Sequence, residues 1–410
     1  MRGLPPEQQA LPPTGICVTA RALLTGNVVS LSVVSLLNDA ASEMIYPLLP
    51  FFVVGTLGAS TAALGLIEGI AESTSSFVKL ASGYISDRVR RRKPLVFVGY
   101  GIATVARPLI GAATTAWHVL VIRFSDRIGK GLRSAPRDAL LAESVDPALR
   151  GRAFGVHRAA DHLGAVIGPL LGSALLLLLA GRVRIVFVLA LVPGLVSLAI
   201  IILGVRERAG PRPDPHPRAV MTQATLSVRG SLARFYAVLL LFSLGNATDA
   251  FLLLRAQELG VPLSAVPLLW AVHHISKMTW SVPGGALADR FGPRRTIVAG
   301  WVVYALTYAG FALAASTWQA WALFLLYGLF YGLTEAPEKA LVAQLAPTGQ
   351  RGGAFGAYHF TMGIAALPAS VLFGVLWQRY GAAVAFWFGA TLALLAAVLL
   401  VLVAAPRRSD

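Results

Sequence analysis

Apolar residues come in runs of roughly 20 or more, the length needed to cross about 30 Å of hydrocarbon. Polar breaks separate twelve of them, near 27–54, 61–85, 94–116, 118–142, 153–180, 183–204, 232–254, 262–287, 295–316, 318–345, 353–378 and 382–404. Gly, Pro and charges inside several runs leave those ends soft. The pattern predicts an all-α membrane protein of twelve transmembrane helices. Residues 1–22, rich in Pro and Gln, read as a disordered tail without the basic start, apolar core and cleavage site of a signal peptide. Residues 205–231, "VRERAGPRPDPHPRAVMTQATLSVRGS", read as a polar, Pro-rich linker between six-helix halves at 23–204 and 232–404, with a short tail at 405–410.

Composition excludes a soluble domain. With 56% hydrophobic and 13% charged residues and a mean hydropathy of +0.69, polar groups are too few to coat the surface. A net charge of +16 could suggest nucleic acid, but its distribution argues otherwise. With the N-terminus inside, the cytoplasmic connections hold Arg88, Arg90, Arg91, Arg92, Lys93, Arg150, Arg152, the linker arginines, Arg290, Arg294, Arg295 and Arg351, whereas the opposite side holds Arg182, Arg184, Arg255 and Arg379. That asymmetry is the positive-inside signature; it places both termini in the cytoplasm and implies no nucleic-acid partner. A single cysteine, Cys17, excludes an intramolecular disulfide and any cysteine metal cluster.

The halves repeat each other. "GYISDRVRRRK" (83–93) returns as "GALADRFGPRR" (285–295), offset by 202, and "LG" at 57–58 returns at 259–260 with the same offset. "GLRSAPRDAL" (131–140) matches "GLTEAPEKAL" (332–341), and "RGRAFG" (150–155) matches "RGGAFG" (351–356), both offset by 201. Two six-helix halves related by an axis along the membrane normal form a transporter architecture, with the substrate path between them.

On these motifs the chain resembles the major facilitator superfamily over essentially its full length. The charged hairpin resembles that family's loop between helices 2 and 3, Gly-x-x-x-Asp-Arg-x-Gly-Arg-Arg-Lys, and its second copy falls between helices 8 and 9. The resemblance implies a cytoplasmic latch of Gly83, Asp87, Arg88, Gly285, Asp289 and Arg290, with the glycines allowing close helix contact and the aspartates capping or pairing. The family's turn glycine is Arg90 in the first copy and Gly292 in the second. On helix 5, Gly164, Gly168, Pro169 and Gly172 in "GAVIGPLLG" resemble the antiporter motif Gly-x-x-x-Gly-Pro-x-x-Gly; the equivalent "GIAALPASVLFG" of helix 11 lacks that spacing. "IYPLLP" (45–50) resembles a further drug-antiporter signature, and Arg123 stands where the family places an intramembrane arginine linked to proton transfer. The resemblance therefore implies proton-coupled efflux from the plasma membrane.

Charges inside membrane helices are costly and point to function. Arg123, Asp126, Arg127, Lys130, Arg133, Arg137 and Asp138 fall within an arc of roughly 140° on helix 4, opposite Phe124, Ile128 and Leu132. That face must meet protein or a water-filled cavity. Helix 1 offers Asp39, Glu43 and Tyr46; helix 2 offers Glu68, Glu72 and Lys79; helix 5 offers His157, Asp161 and His162; helix 8 offers His273, His274 and Lys277. Some of these acids serve only to neutralise the bases of helix 4. Asp39 and Glu43, one turn apart near mid-helix, are the best proton carriers, with Arg123 beside them. The adjacent His273 and His274 point about 100° apart, poor geometry for a shared metal, and no metal or cofactor is expected. Tyr46, Glu68, Glu72, Arg127, Lys130, Asp161, His162, His274, Lys277, Tyr327 and Tyr331 are candidates for the substrate cavity, with Trp270, Trp280 and Tyr358 as further aromatic walls. At matching repeat positions the signs invert, which suggests that Arg133 and Arg137 meet Glu335 and Glu338 as a gate between halves when the cavity opens outward; the alternative is that Glu335 pairs with Lys339 one turn along its own helix.

No G-x-S-x-G, H-E-x-x-H or phosphate-loop sequence supports a membrane enzyme or an ATP-driven pump. The reading is a monomeric secondary transporter in the lipid bilayer, exchanging protons for a small organic molecule. Its nearest rival is a proton-coupled importer of an organic anion on the same fold.

Overall fold

The computed structural model describes residues 26–86, 91–145, 150–207, 230–346 and 351–403. Among them are twelve long helical segments: α1 Gly26–Thr56, α2 Thr61–Ser86, α3 Lys93–Ala112, α4 Ala116–Glu143, α5 Arg150–Leu178, α6 Val183–Gly204, α7 Ser231–Glu258, α8 Val266–Phe291, α9 Pro293–Leu313, α10 Thr317–Leu345, α11 Arg351–Tyr380 and α12 Ala382–Val403. Eight are long and apolar enough to cross a membrane on those grounds alone. The other four, α2, α4, α8 and α10, carry most of the intramembrane charge and form two repeat-related pairs. Leu178, Leu203 and Val282 are about four-fifths exposed, as expected of side chains that face lipid.

Three helices are interrupted, α6 only by the single residue Ala190. The α1 helix tightens to a 3₁₀ turn at Tyr46–Leu48 and loosens to a π turn at Phe52–Thr56, around Pro47 and Pro50. In α7 the helix stops at Gly245 and resumes at Ala250. The sequence reading of 232–254 as one uninterrupted run missed that break.

The halves are α1–α6 and α7–α12. Within the first, α1 packs on α5 and α6, and α4 on α2 and α3; within the second, α7 packs on α11 and α12, and α10 on α8 and α9. Glycines carry the repeat into the packing. A Cβ at Gly131 would strike Val78 of α2, and one at Gly332 would strike Trp280 of α8; those partners are themselves 202 residues apart. Across the halves, α2 packs against α11 and α5 against α8.

One end of this interface is sealed. A Cβ at Gly65 would overlap the Ser370 carbonyl, one at Gly69 would meet Leu367, and one at Gly374 would meet Ala62. The Thr61 hydroxyl donates to the Gly374 carbonyl at 3.0 Å, and Ser173 to the Ser264 carbonyl at 2.5 Å. Toward the other end, which carries Arg92, Lys93 and Arg294, Lys130, Glu335 and His359 are exposed between the halves.

Candidate functional site

Between the halves lies a cavity of about 480 Å³ lined by polar side chains. The first half contributes Glu43, Tyr46, Glu72, Arg127 and Lys130; the second contributes Asn246, Thr248, Asp249, Trp270, Lys277, Tyr331 and His359. A neighbouring space of about 270 Å³ shares Lys277, Tyr331 and His359 and continues past Glu335 and Lys339.

Its position follows from the helix 5 motif. Gly164, Gly168 and Gly172 recur every four residues and meet Leu36, Ala40 and Met44 of α1 in the same step; a Cβ at Gly164 or Gly168 would overlap a main-chain carbonyl. Close small-residue packing of this kind fixes axial register. It sets the carboxyl-bearing face of α1, with Glu43, toward the cavity, and Pro169 lies inside α5.

In the first half, charges are paired with their own neighbours. Arg123 holds Glu68 with two hydrogen bonds, 2.8 and 2.6 Å, both side chains buried. Arg107 of α3 donates to Asp126 at 3.0 Å and to the Asn38 side chain and carbonyl at 2.9 Å. Arg127 pairs with Glu72 at 3.0 Å. Breaking the buried Arg123–Glu68 or Arg107–Asp126 pair by removing a single partner costs about 3–5 kcal/mol. Lys130 faces the cavity with no acidic partner within 4 Å among the described residues.

Across the halves the contacts are fewer. Trp270 donates its indole N–H to Glu43 at 2.8 Å, and His274 Nε2 lies 3.8 Å from the same carboxylate oxygen. The hydroxyls of Tyr46 and Thr248 are 3.2 Å apart. On the second half, Asp249 accepts hydrogen bonds from Tyr327 and Tyr331 at 2.6 and 3.1 Å. Lys277 sits 4.1 Å from the Tyr331 ring centre and 3.3 Å from Glu335.

Six of the expected cavity residues line it: Tyr46, Glu72, Arg127, Lys130, Lys277 and Tyr331. Five do not. Glu68 is consumed by Arg123 in the α2–α4 interface, and His274 stands behind Glu43. Tyr327 is fully buried, with its hydroxyl on Asp249. Asp161 is buried beside His157 and Arg158 at 3.7 and 3.4 Å, and His162 is half-buried on the same helix. Asp39 is half-buried and accepts from the Asn38 side chain at 3.0 Å, away from the lining. Sequence reasoning missed Asn246, Thr248 and Asp249, for which the polar string "GNATD" inside an otherwise apolar run was the available signal, and it missed Arg107 of α3.

The expected gate pairs are not joined here. Arg133 lies 4.4 Å from the Tyr100 ring, and Arg137 holds Asp138 at 2.9 Å. Glu338 accepts from Tyr358 at 2.7 Å and Trp301 at 3.3 Å, and Glu335 holds Lys277 and Lys339. Every one of these partners lies in the same half.

Of the latch, Asp87 and Arg88 lie outside the described residues, as does Arg90. A Cβ at Gly285 would meet nothing within 4 Å, so the close contact expected there belongs instead to its neighbour Gly284, which abuts the Gly332 carbonyl. Asp289 and Arg290 are exposed. Gly292 has φ +87° and ψ 142°, a backbone conformation that residues with a Cβ adopt only under strain.

The family model of the Major Facilitator Superfamily matches residues 31–276 and 235–410. The chain belongs to the major facilitator superfamily. This is a family of membrane transporters rather than enzymes, so the chain is a multi-pass transporter in a lipid bilayer with a small-molecule substrate. The chain is 32% identical over 387 residues to an uncharacterised MFS-type transporter of Methanocaldococcus jannaschii, covering 93% of this chain and 95% of that one. It is 24% identical over 326 residues to the multidrug resistance protein MdtH of Citrobacter koseri, covering 76% and 77%. Its fold matches the crystal structure of the nucleoside transporter NupG with a TM-score of 0.75 at 13% identity, over 92% and 99% of the two chains.

Proposed function

We propose that this superfamily member is a proton-coupled antiporter that exports a small organic compound by alternating access, with both termini in the cytoplasm. The observation that carries the reading is Glu43. Its carboxyl lies on the first half, at the sealed end of the cavity, and takes the Trp270 N–H from the second half. When the halves rock, that bond and the nearby His274 are lost to it. A group whose partners differ between two states binds its proton differently in each, which links proton release to reorientation. The α1–α5 glycine seam and the likeness to a multidrug resistance protein support export.

The test is flux in proteoliposomes under pH gradients of either sign. Export coupled to inward protons should be abolished by Glu43→Gln, while downhill substrate exchange persists. Full gradient-driven flux in that variant would reject the assignment. Lys130, facing the cavity with no acidic partner among the described residues, favours the second reading, import of an organic anion with protons. The same assay with the gradient reversed separates the two, since substrate and proton then move together.

A further inference from the structure

At the break in α7 the helix stops at Gly245 and resumes at Ala250, with Asp249 as its N-cap residue. Its two carboxylate oxygens are held by the phenols of Tyr327 and Tyr331, both neutral donors. No Lys or Arg among the described residues makes an ion pair with it, unlike Glu68, Glu72 and Asp126, each of which holds a guanidinium. Asp249 also lines the central cavity. A cavity carboxylate with only neutral partners is a site for an incoming positive charge.

The groups around it come from both halves. The charged side chains that share its cavity are Lys277 of α8, Glu72 of α2, Glu43 of α1, and Arg127 and Lys130 of α4. Tyr46 of α1 bonds the adjacent Thr248, whose backbone N–H bonds Ser370 of α11. Behind Tyr327 stand His273, stacked 5.1 Å away, and Tyr304 and Tyr308 of α9. Lys277 shares Tyr331 with Asp249. Its ammonium rests on the ring of Tyr331, whose hydroxyl holds Asp249, so one tyrosine separates the two charges.

We propose that Asp249 is an exchange carboxyl of the central cavity, taking either a proton or the protonated amine of a small organic substrate, with Lys277 as a tethered cation that covers it when neither is bound. The substrate class rests on the antiport reading. Antiport by competition requires that a bound proton weaken substrate binding, and protonating a cavity that already holds Lys130 and Lys277 weakens a cation and strengthens an anion. Trp270 and Tyr331 line the same cavity, and the Tyr331 ring already holds an ammonium, that of Lys277. The tether answers a second requirement: an exchanger that reorients empty leaks, and a lysine that moves from Glu335 to Asp249 keeps the bare carboxylate from standing open.

Infrared difference spectra of the full chain in lipid, acidic minus alkaline, should show a carboxylic C=O band that Asp249→Asn removes. Phenethylamine and phenylacetate, the same ring with opposite charge, then serve as probes in thermal unfolding. Phenethylamine should stabilise the wild type and not Asp249→Asn, and phenylacetate should stabilise neither. Lys277→Met should tighten phenethylamine binding roughly tenfold. An unchanged spectrum in Asp249→Asn, stabilisation by phenylacetate instead, or no response to phenethylamine overturns the proposal. Should Asp249→Asn fail to fold, Tyr331→Phe removes one donor and must move the band; an unmoved band overturns it equally. Unimpaired proton-driven flux in Asp249→Asn would overturn this site and leave the antiport reading standing. The spectral change without proton-driven flux of any compound would overturn antiport and leave the carboxyl site.

Discussion

Tyr46 and Thr248 are 202 residues apart, the offset of the internal repeat, and their hydroxyls meet at 3.2 Å. Two positions exchanged by a twofold rotation can touch each other only on the rotation axis. The pseudo-twofold axis therefore passes between these side chains, at the breaks of α1 and α7 and at the sealed end of the cavity. A hydrogen bond there joins the halves at the end that must part when they rock.

Removing it should loosen the sealed end. A net hydrogen bond is worth about 0.5–1.5 kcal/mol, so Tyr46→Phe or Thr248→Val should shift the balance of conformations roughly twofold to tenfold. With Cys17 replaced, a cysteine at Ala366 in the cavity wall should label faster with an impermeant thiol reagent applied from the sealed side. Equal labelling rates in parent and variants would show that the pair does not hold this end.

The same register explains how the halves differ. Adding 201 or 202 converts Glu68, Arg107, Arg123 and Asp126 into Trp270, Tyr308, Phe324 and Tyr327. The buried ion-pair chain of the first half is thus an aromatic cluster in the second, with Trp270 and Phe324 at 6.5 Å and Tyr308 and Tyr327 at 6.3 Å. If Arg123 and Glu68 hold structure, Arg123→Met should cost about 3–5 kcal/mol by stranding Glu68, and adding Glu68→Met should restore much of that. Thermal unfolding in detergent reads the cycle. Recovery of stability without recovery of proton-driven flux would add a transport role to the pair; an undiminished melting temperature in Arg123→Met alone would refute the structural one.

The glycine seam makes a third expectation. A side chain at Gly168 meets the Ala40 carbonyl, which is backbone and cannot swing aside. Overpacking of a tight contact costs about 1–3 kcal/mol. Gly168→Leu should lower both melting temperature and flux, whereas Gly155→Ala, where an added Cβ meets nothing within 4 Å, should leave both intact. Equal tolerance at the two positions would remove the seam as the element that fixes α1.

Twelve helices and two halves were legible because apolar length and repeat register are properties of the chain itself. Partner choice was not. Sequence placed the bases of helix 4 on one face but could not say that Glu68 would be spent on Arg123, or that Arg107 of another helix would take Asp126. Hydrophobic run length also hid Asp249: an apolar segment reads the same whether or not its backbone breaks in the middle. Tyr46, by contrast, came from the polar face that it shares with Asp39 and Glu43 on helix 1, and its repeat mate Thr248 was within reach of the offset arithmetic.

Sign inversion between repeat mates says that Arg137 and Glu338 can meet, but not in which conformation. They are 201 residues apart, so, like Tyr46 and Thr248, they can meet only near the axis. Here each instead satisfies its own half: Arg137 on Asp138 and Ser35, Glu338 on Tyr358 and Trp301 with its side chain buried. These partners predict that Glu338→Arg, which forces a cation into a site built of Tyr and Trp donors, destabilises the second half by itself. Arg137→Glu, placing a like charge beside Asp138, should damage the first half independently. The two losses should then add within about 0.3–0.5 kcal/mol in thermal unfolding, with no restoration of flux in the double variant. Restored flux in the double variant would mean that the pair does form once the cavity opens at its sealed end, and would reinstate the gate in that conformation.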